Sequence, residues 1–107
     1  MKIGICIYSN DPETVWNAFR FGNYAIKHSQ DEVRVFLLGK GVEAETLDKD
    51  DFQITEQMRT FIAVGGIIQA CGTCLKLRKS EGSDVCTIST MNDLRRLVTE
   101  CDKVLTF

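Results

Sequence analysis

The sequence predicts a single α/β domain, a three-layer α/β/α sandwich around a mostly parallel sheet of five strands. Two observations lead to this prediction. Short apolar runs rich in β-branched residues alternate with longer segments whose apolar residues recur at helical spacing. The chain has 107 residues, which is the usual size of one domain with a single core.

The first strand is predicted over residues 2–8, an apolar run rich in isoleucine. The run is too short for a signal peptide, and no small-residue cleavage site follows it. A helix is predicted over residues 12–29, because Pro12 suits the first helical position and polar residues before it can cap the first turn. Its apolar face is formed by Val15, Phe19, Gly22 and Ile26.

The middle of the chain predicts a buried strand and a second helix. Residues 33–38 form a short apolar run, as expected for a parallel strand that is buried on both faces. The acidic residues 43–51 are expected to form a short helix or a loop. Helical spacing returns at Ile54, Met58, Phe61 and Ile62, and the glycines at 65 and 66 should end that helix.

The last part of the chain continues the alternation of strands and helices. A short helix is expected after the third strand, and a longer one over residues 90–100, capped by Thr90 or Asn92. The last three strands are predicted at residues 67–70, 84–89 and 103–107.

Cys71 and Cys74 form the motif Cys-Gly-Thr-Cys at the predicted junction between the third strand and the short helix. In open parallel sheets, the working site lies beyond the carboxyl ends of the strands. Unpaired N–H groups and the helix dipole at such a junction stabilise a thiolate, which is the reactive form of cysteine. We therefore predict Cys71 as an accessible, ionised nucleophile and Cys74 as the second residue of a catalytic pair.

The residues around the pair favour this prediction. Gly72 allows a tight turn, and Thr73 can cap the helix locally. Lys76, Arg78 and Lys79 add positive charge that would stabilise a thiolate or persulfide, although basic residues on a short exposed helix are more often simply solvated.

The other three cysteines are predicted to be small core residues. Cys6 lies in the first strand, Cys86 in the fourth and Cys101 near the end of the last helix, all in apolar surroundings. An odd number of cysteines without a secretory signal indicates free thiols in a reducing compartment. We therefore expect a cytoplasmic protein.

Several other classes of function are disfavoured. A zinc site would need more ligands than one Cys-x-x-C pair, and His28, the only histidine, is expected to be a helix-end residue. A thioredoxin-like oxidoreductase would need a later cis-proline, and Pro12 is the only proline. The net charge is -2 and no basic stripe or long apolar run occurs, so neither a nucleic acid nor a membrane is an expected partner. No metal or cofactor is predicted.

Four stretches of the sequence resemble the DsrE/DsrF-like sulfur-relay family, and most closely its YchN-like branch. The resemblance covers nearly the whole chain and lies in KIGICIYSNDPETVWNAFRFGNYAI, VRVFLLGKGVEAE, ACGTCLKLR and DLRRLVTECDKVLTF. It implies an α/β/α sandwich, homo- or hetero-oligomers built from trimeric units, and sulfur donor and acceptor proteins as partners; for this chain we expect a homotrimer or homohexamer. It further implies that Cys71 holds sulfane sulfur as a persulfide. Cys74 is similar to a second cysteine that occurs in only some branches.

Three functions remain open at this point. The leading hypothesis is a sulfur carrier in which Cys71 accepts sulfur from a persulfide and passes it to another thiol. In that scheme Cys74 either attacks the persulfide, releasing sulfide, or holds the sulfur as a second station. The alternatives are a non-catalytic assembly or binding module and a thiol-disulfide redox switch.

Overall fold

A computed structural model describes residues 1–107 and contains a five-stranded sheet in which all neighbouring strands are parallel. The strand order is β4-β3-β2-β1-β5, so the chain starts in the interior of the sheet and extends it to both edges. The strands are β1 (Lys2–Ile7), β2 (Glu32–Leu37), β3 (Ile67–Cys71), β4 (Thr87–Ser89) and β5 (Lys103–Thr106). The helices are α1 (Pro12–Ser29), α2 (Ile54–Ala63), α3 (Gly72–Leu77) and α4 (Met91–Glu100), with a 3-10 helix at Gly39–Thr46.

The predicted α/β fold is confirmed, and the sheet is parallel throughout. The largest difference from the predicted elements is in β4, which was expected to begin at residue 84 and has only three residues. Val85 and Cys86 are apolar because they are buried in the core just before the strand, not because they pair within the sheet. Periodicity alone does not separate these two causes of an apolar run.

Local sequence explains where the two best-defined helices begin. The Asp11 carboxylate accepts a hydrogen bond from the amide of Thr14 at the start of α1, directly before Pro12. Thr90 and Asp93 form a reciprocal capping box at the start of α4. Thr90 is therefore the cap of this helix, one of the two residues that the sequence offered.

The two faces of the sheet are covered unequally. One face packs against α1 and α2 and belongs to a cluster of 19 buried residues that includes Ile5, Phe19 and Phe61. The opposite face has a cluster of only three buried residues, Phe36, Cys71 and Leu97. Leu97 belongs to α4, the helix that connects the two edge strands β4 and β5. The first cysteine of the motif thus lies in the smaller core.

The 3-10 helix lies directly after β2, at the same carboxyl end of the sheet as the cysteine motif. Gly39 has a positive φ of 56°, which favours glycine, and its amide reaches the motif. Gly41 lies against the end of β1, where an added Cβ would collide with the backbone oxygen of Ile7. These two glycines allow the chain to pass close to β1 and reach the cysteines.

Candidate thiol site

The two cysteines of the motif occupy the junction between β3 and α3. Cys71 is the last residue of the strand and also the N-cap position of the helix, and Cys74 lies in the first turn of α3. The predicted position at the carboxyl end of the third strand is therefore correct. Thr73, predicted as a local cap, lies inside the helix and does not occupy the cap position.

Cys71 is buried, so the prediction that it is accessible is wrong. Only 3% of the residue is exposed, and it packs with Phe36 and Leu97. Its side chain makes no capping hydrogen bond to the amides of α3. The physical reason is that the alternation of side chains along β3 places Cys71 on the face of the sheet that α4 covers, where it packs in the small cluster with Phe36 and Leu97.

A cavity of about 640 Å³ nevertheless reaches this part of the chain, and Cys71 is one of its lining residues. Its walls come from the start of α3, from the segment after that helix and from the end of β4. Lys76 and Lys79 lie on the cavity, together with Glu81 and the apolar side chain of Ile88. The cavity therefore leaves open space beside the first cysteine of the motif.

The backbone amide in the site serves Cys74, not Cys71. The amide nitrogen of Gly39 donates to the Cys74 sulfur over 3.2 Å. Burial raises the pKa of the Cys74 thiol, and the neighbouring Cys71 raises it further. The Gly39 amide and the positive charge of Arg78 act in the opposite direction. The net effect is a Cys74 pKa above its ordinary value of 9.0, which favours the neutral thiol. Cys74 packs against the small cluster that contains Cys71.

Arg78 links the motif to the 3-10 helix. Its Nε donates to a carboxylate oxygen of Glu43 over 2.8 Å, and its Nη1 donates to the backbone oxygen of Cys74 over 3.1 Å. The other carboxylate oxygen of Glu43 accepts from the Asn10 side chain over 3.3 Å. Arg78, and then Asn10, hold the pKa of the Glu43 carboxyl below its usual value.

Sequence reasoning did not identify Gly39, Glu43 and Asn10 as part of this site. They belong to segments distant in sequence from the cysteines, and only the parallel order of β1, β2 and β3 brings those segments together. Their positions directly after β1 and β2 could have pointed to them. In a parallel sheet, residues that follow the carboxyl ends of neighbouring strands meet at one edge, which is where the functional site of such sheets lies.

Of the other three cysteines, which were predicted to be core residues, only Cys86 is buried, and it precedes β4 rather than lying inside it. Cys6 and Cys101 are half-buried. Burial raises the pKa of Cys86 to about 12, with a further contribution from the Glu45 carboxylate. Burial also raises the pKa of Cys6 and of Cys101. All three are poor nucleophiles at neutral pH, because the thiolate is the reactive form.

His28 lies in the last turn of α1, as predicted, where its ring stacks on that of Tyr24 at 4.3 Å. No group of three or more His, Cys, Asp or Glu side chains is arranged to hold a metal ion. None of the helices is both long enough and apolar enough to span a bilayer.

The fold and this site define an all-parallel α/β protein with a Cys-x-x-C thiol pair at the end of an interior strand. The DsrE/DsrF-like family model matches residues 1–107, and the chain belongs to this family. The resemblance seen in the sequence is thereby confirmed. Membership of the family indicates a role in sulfur relay.

The chain is similar to proteins of Methanocaldococcus jannaschii, E. coli and Bacteroides thetaiotaomicron. It is 31% identical over 101 residues to the uncharacterized protein MJ0989 of Methanocaldococcus jannaschii, which covers 89% of this chain and 88% of that protein. The fold matches the ychN protein of E. coli with a TM-score of 0.83 and 22% identity, over 99% of this chain and 97% of the other. It also matches BT1422 of Bacteroides thetaiotaomicron, described as a conserved protein of unknown function. That match has a TM-score of 0.78 and 18% identity, and covers 99% and 94% of the two chains.

Proposed function

We propose that this protein is a cysteine-based sulfur carrier that holds sulfane sulfur as a persulfide on Cys71 and passes it to a thiol of a partner protein. The main supporting observation is the thiol pair at the carboxyl end of β3, with Cys71 on the wall of a cavity of about 640 Å³. Membership of the DsrE/DsrF-like family supports the same role.

The transfer consists of two nucleophilic substitutions at sulfur. The Cys71 thiolate attacks the outer sulfur of a donor persulfide, a new S–S bond forms, and the electron pair of the broken bond leaves on the donor thiolate. An acceptor thiolate then attacks the outer sulfur on Cys71 and restores the Cys71 thiolate. No net oxidation or reduction occurs, so the carrier requires no cofactor.

The cavity favours delivery by a small or protruding donor group rather than by a flat protein surface. Cys71 is buried, so a donor must enter the space beside α3 to reach it. Lys76 and Lys79 lie on that space and can neutralise the charge of an incoming persulfide. Donor and acceptor proteins, a homotrimeric or homohexameric assembly and a cytoplasmic location are parts of the same proposal.

The proposal is tested by treating the reduced protein with a persulfide donor and weighing it intact. We expect the mass of one added sulfur atom on the wild type and on Cys74→Ser, and none on Cys71→Ser. Tryptic digestion then locates the sulfur, because the peptide that covers residues 60–76 contains only these two cysteines. A matched control is Cys101→Ser, which removes a thiol outside the motif and should load normally.

A redox switch is the second candidate, and the packing of Cys74 against the cluster that contains Cys71 favours it. In that case, persulfide treatment would give a Cys71–Cys74 disulfide and free sulfide, with the loss of two hydrogen masses instead of a gain of sulfur. If the mass of the protein changes in neither way, the assembly module is the remaining candidate.

A further inference from the structure

The thiol of Cys74 lies where three segments of the chain meet. The 3-10 helix contacts the motif at two points, through the Gly39 amide at the Cys74 sulfur and through the Glu43 carboxylate at Arg78. Arg78 returns to the motif through the hydrogen bond from its Nη1 to the Cys74 backbone oxygen. Cys74 is thus held at its sulfur and at its carbonyl by groups that are joined to each other.

The backbone oxygen of Cys74 requires a hydrogen-bond partner from outside the regular helix, and the Nη1 of Arg78 supplies it. At the end of α3 the amide of Arg78 bonds to the oxygen of Leu75, so the Cys74 oxygen is among the last carbonyls of a short helix. Such carbonyls lack a partner within the helix and take one from a side chain or from water. The Arg78 guanidinium fills this role.

The geometry points to Arg78 and Glu43 as positioning residues, and we propose that they hold Cys74 against Cys71 for transfer of sulfur between them. In this step the Cys74 thiolate attacks the outer sulfur of a Cys71 persulfide, a new S–S bond forms, and the electron pair of the broken bond leaves on the Cys71 thiolate. This inference rests on the proposed function and deepens it, because it explains how the second thiol is kept at the first. Asn10 completes the arrangement by holding the other oxygen of Glu43.

The planar guanidinium is essential to this role. Arg78 directs two separate N–H groups at two acceptors, a carboxylate and a carbonyl, within one rigid fork. A lysine at this position would keep the positive charge but would lose the fork geometry. Arg78→Lys therefore separates a positioning role from a purely electrostatic one.

The test measures closure of the Cys71–Cys74 disulfide in glutathione buffers. One glutathione disulfide oxidises the two protein thiols, the new S–S bond forms, and two glutathione molecules leave as thiols, so atoms and electrons balance. The fraction closed reports the effective concentration of one thiol at the other. The closed fraction is measured as a loss of two hydrogens in the tryptic peptide of residues 60–76. None of the variants below changes the sequence of this peptide.

We expect Arg78→Lys, Arg78→Gln and Glu43→Gln each to lower the equilibrium constant for closure by about five-fold or more. The matched control is Asp84→Asn, which removes the 3.5 Å ion pair to Arg59 away from the motif and should stay within about two-fold of the wild type. Circular dichroism verifies that every variant is folded.

The inference is overturned if Arg78→Lys or Glu43→Gln closes like the wild type, or if Asp84→Asn loses as much as they do. A wild type that forms no internal disulfide overturns it as well. Its failure is distinguishable from failure of the sulfur-carrier proposal. A protein that takes up no sulfur on Cys71 but shows the expected closure constants refutes the carrier and leaves the positioning role intact.

Discussion

The amide of Gly39 donates a hydrogen bond to the sulfur of Cys74, over 3.2 Å and across 35 positions of the sequence. This contact joins the end of β2 to the first turn after β3. It means that the thiol that receives help from the backbone is the second cysteine of the motif, while the first is buried between Phe36 and Leu97. The two thiols thus occupy different environments although they lie only three residues apart.

Alkylation should distinguish the two thiols. We expect iodoacetamide to modify Cys71 and Cys74 at different rates in the native protein, because Cys71 is only 3% exposed whereas Cys74 is half-buried. The measurement is the mass of the tryptic peptide after short exposures, with fragmentation to assign the modified cysteine. Unfolding in urea is the control, since it should make the two rates equal.

The pH dependence of Cys74 alkylation follows from its raised pKa. The thiol should react slowly at neutral pH, and its rate should still increase above pH 9.0, the ordinary value from which its pKa is raised. Cys71→Ala should move the midpoint of this curve to lower pH, because the neighbouring thiol contributes to the raised pKa. A midpoint below that of a free cysteine would contradict the arrangement described.

The Glu43–Arg78 ion pair should stabilise the protein only above acidic pH. The pKa of Glu43 is depressed in the folded protein, so the stabilisation is present above the unfolded value of 4.5 and is lost as the pH falls through the lower folded value. The difference in free energy of unfolding between wild type and Glu43→Gln should therefore shrink as the pH falls below 4.5 and vanish once Glu43 is protonated in the folded protein. Urea denaturation across this range measures it.

The small core on the second face should control access to Cys71. We expect Leu97→Ala to destabilise the protein by about 2–5 kcal/mol and also to accelerate alkylation of Cys71, because Leu97 packs against it. Met58→Ala on the opposite face is the control, with a similar loss of stability and no local effect on Cys71. Equal rates of Cys71 alkylation in the two variants would show that only global unfolding exposes this thiol.

Gly41 should be intolerant of any side chain. An added Cβ would collide with the backbone oxygen of Ile7, which cannot move without disturbing β1, so Gly41→Ala should cost about 3 kcal/mol or more. Gly65→Ala is the comparison, since it has a positive φ of 103° but no atoms within 4 Å of an added Cβ. It should cost only the backbone strain, about 1–2 kcal/mol. Urea denaturation of the two variants measures both losses of stability, and Gly41→Ala should have the lower midpoint.

The sequence by itself determined the alternation of strands and helices and the position of the cysteine pair. These features depend on local causes: apolar periodicity, Pro12 at the start of α1, and the capping box at Thr90. Such causes act within a few residues, so they can be read from the chain alone. The boundary of β4 was missed because Cys86 is apolar for core packing rather than for strand pairing.

Only the tertiary structure decided the environment of each thiol. The burial of Cys71 depends on Phe36 and Leu97, which lie on β2 and α4, and the amide at Cys74 comes from Gly39. The same is true of Glu43, which reaches Arg78 across 35 positions. These contacts exist because parallel strands place the ends of distant segments side by side, and no local pattern in the sequence specifies which side chains then meet.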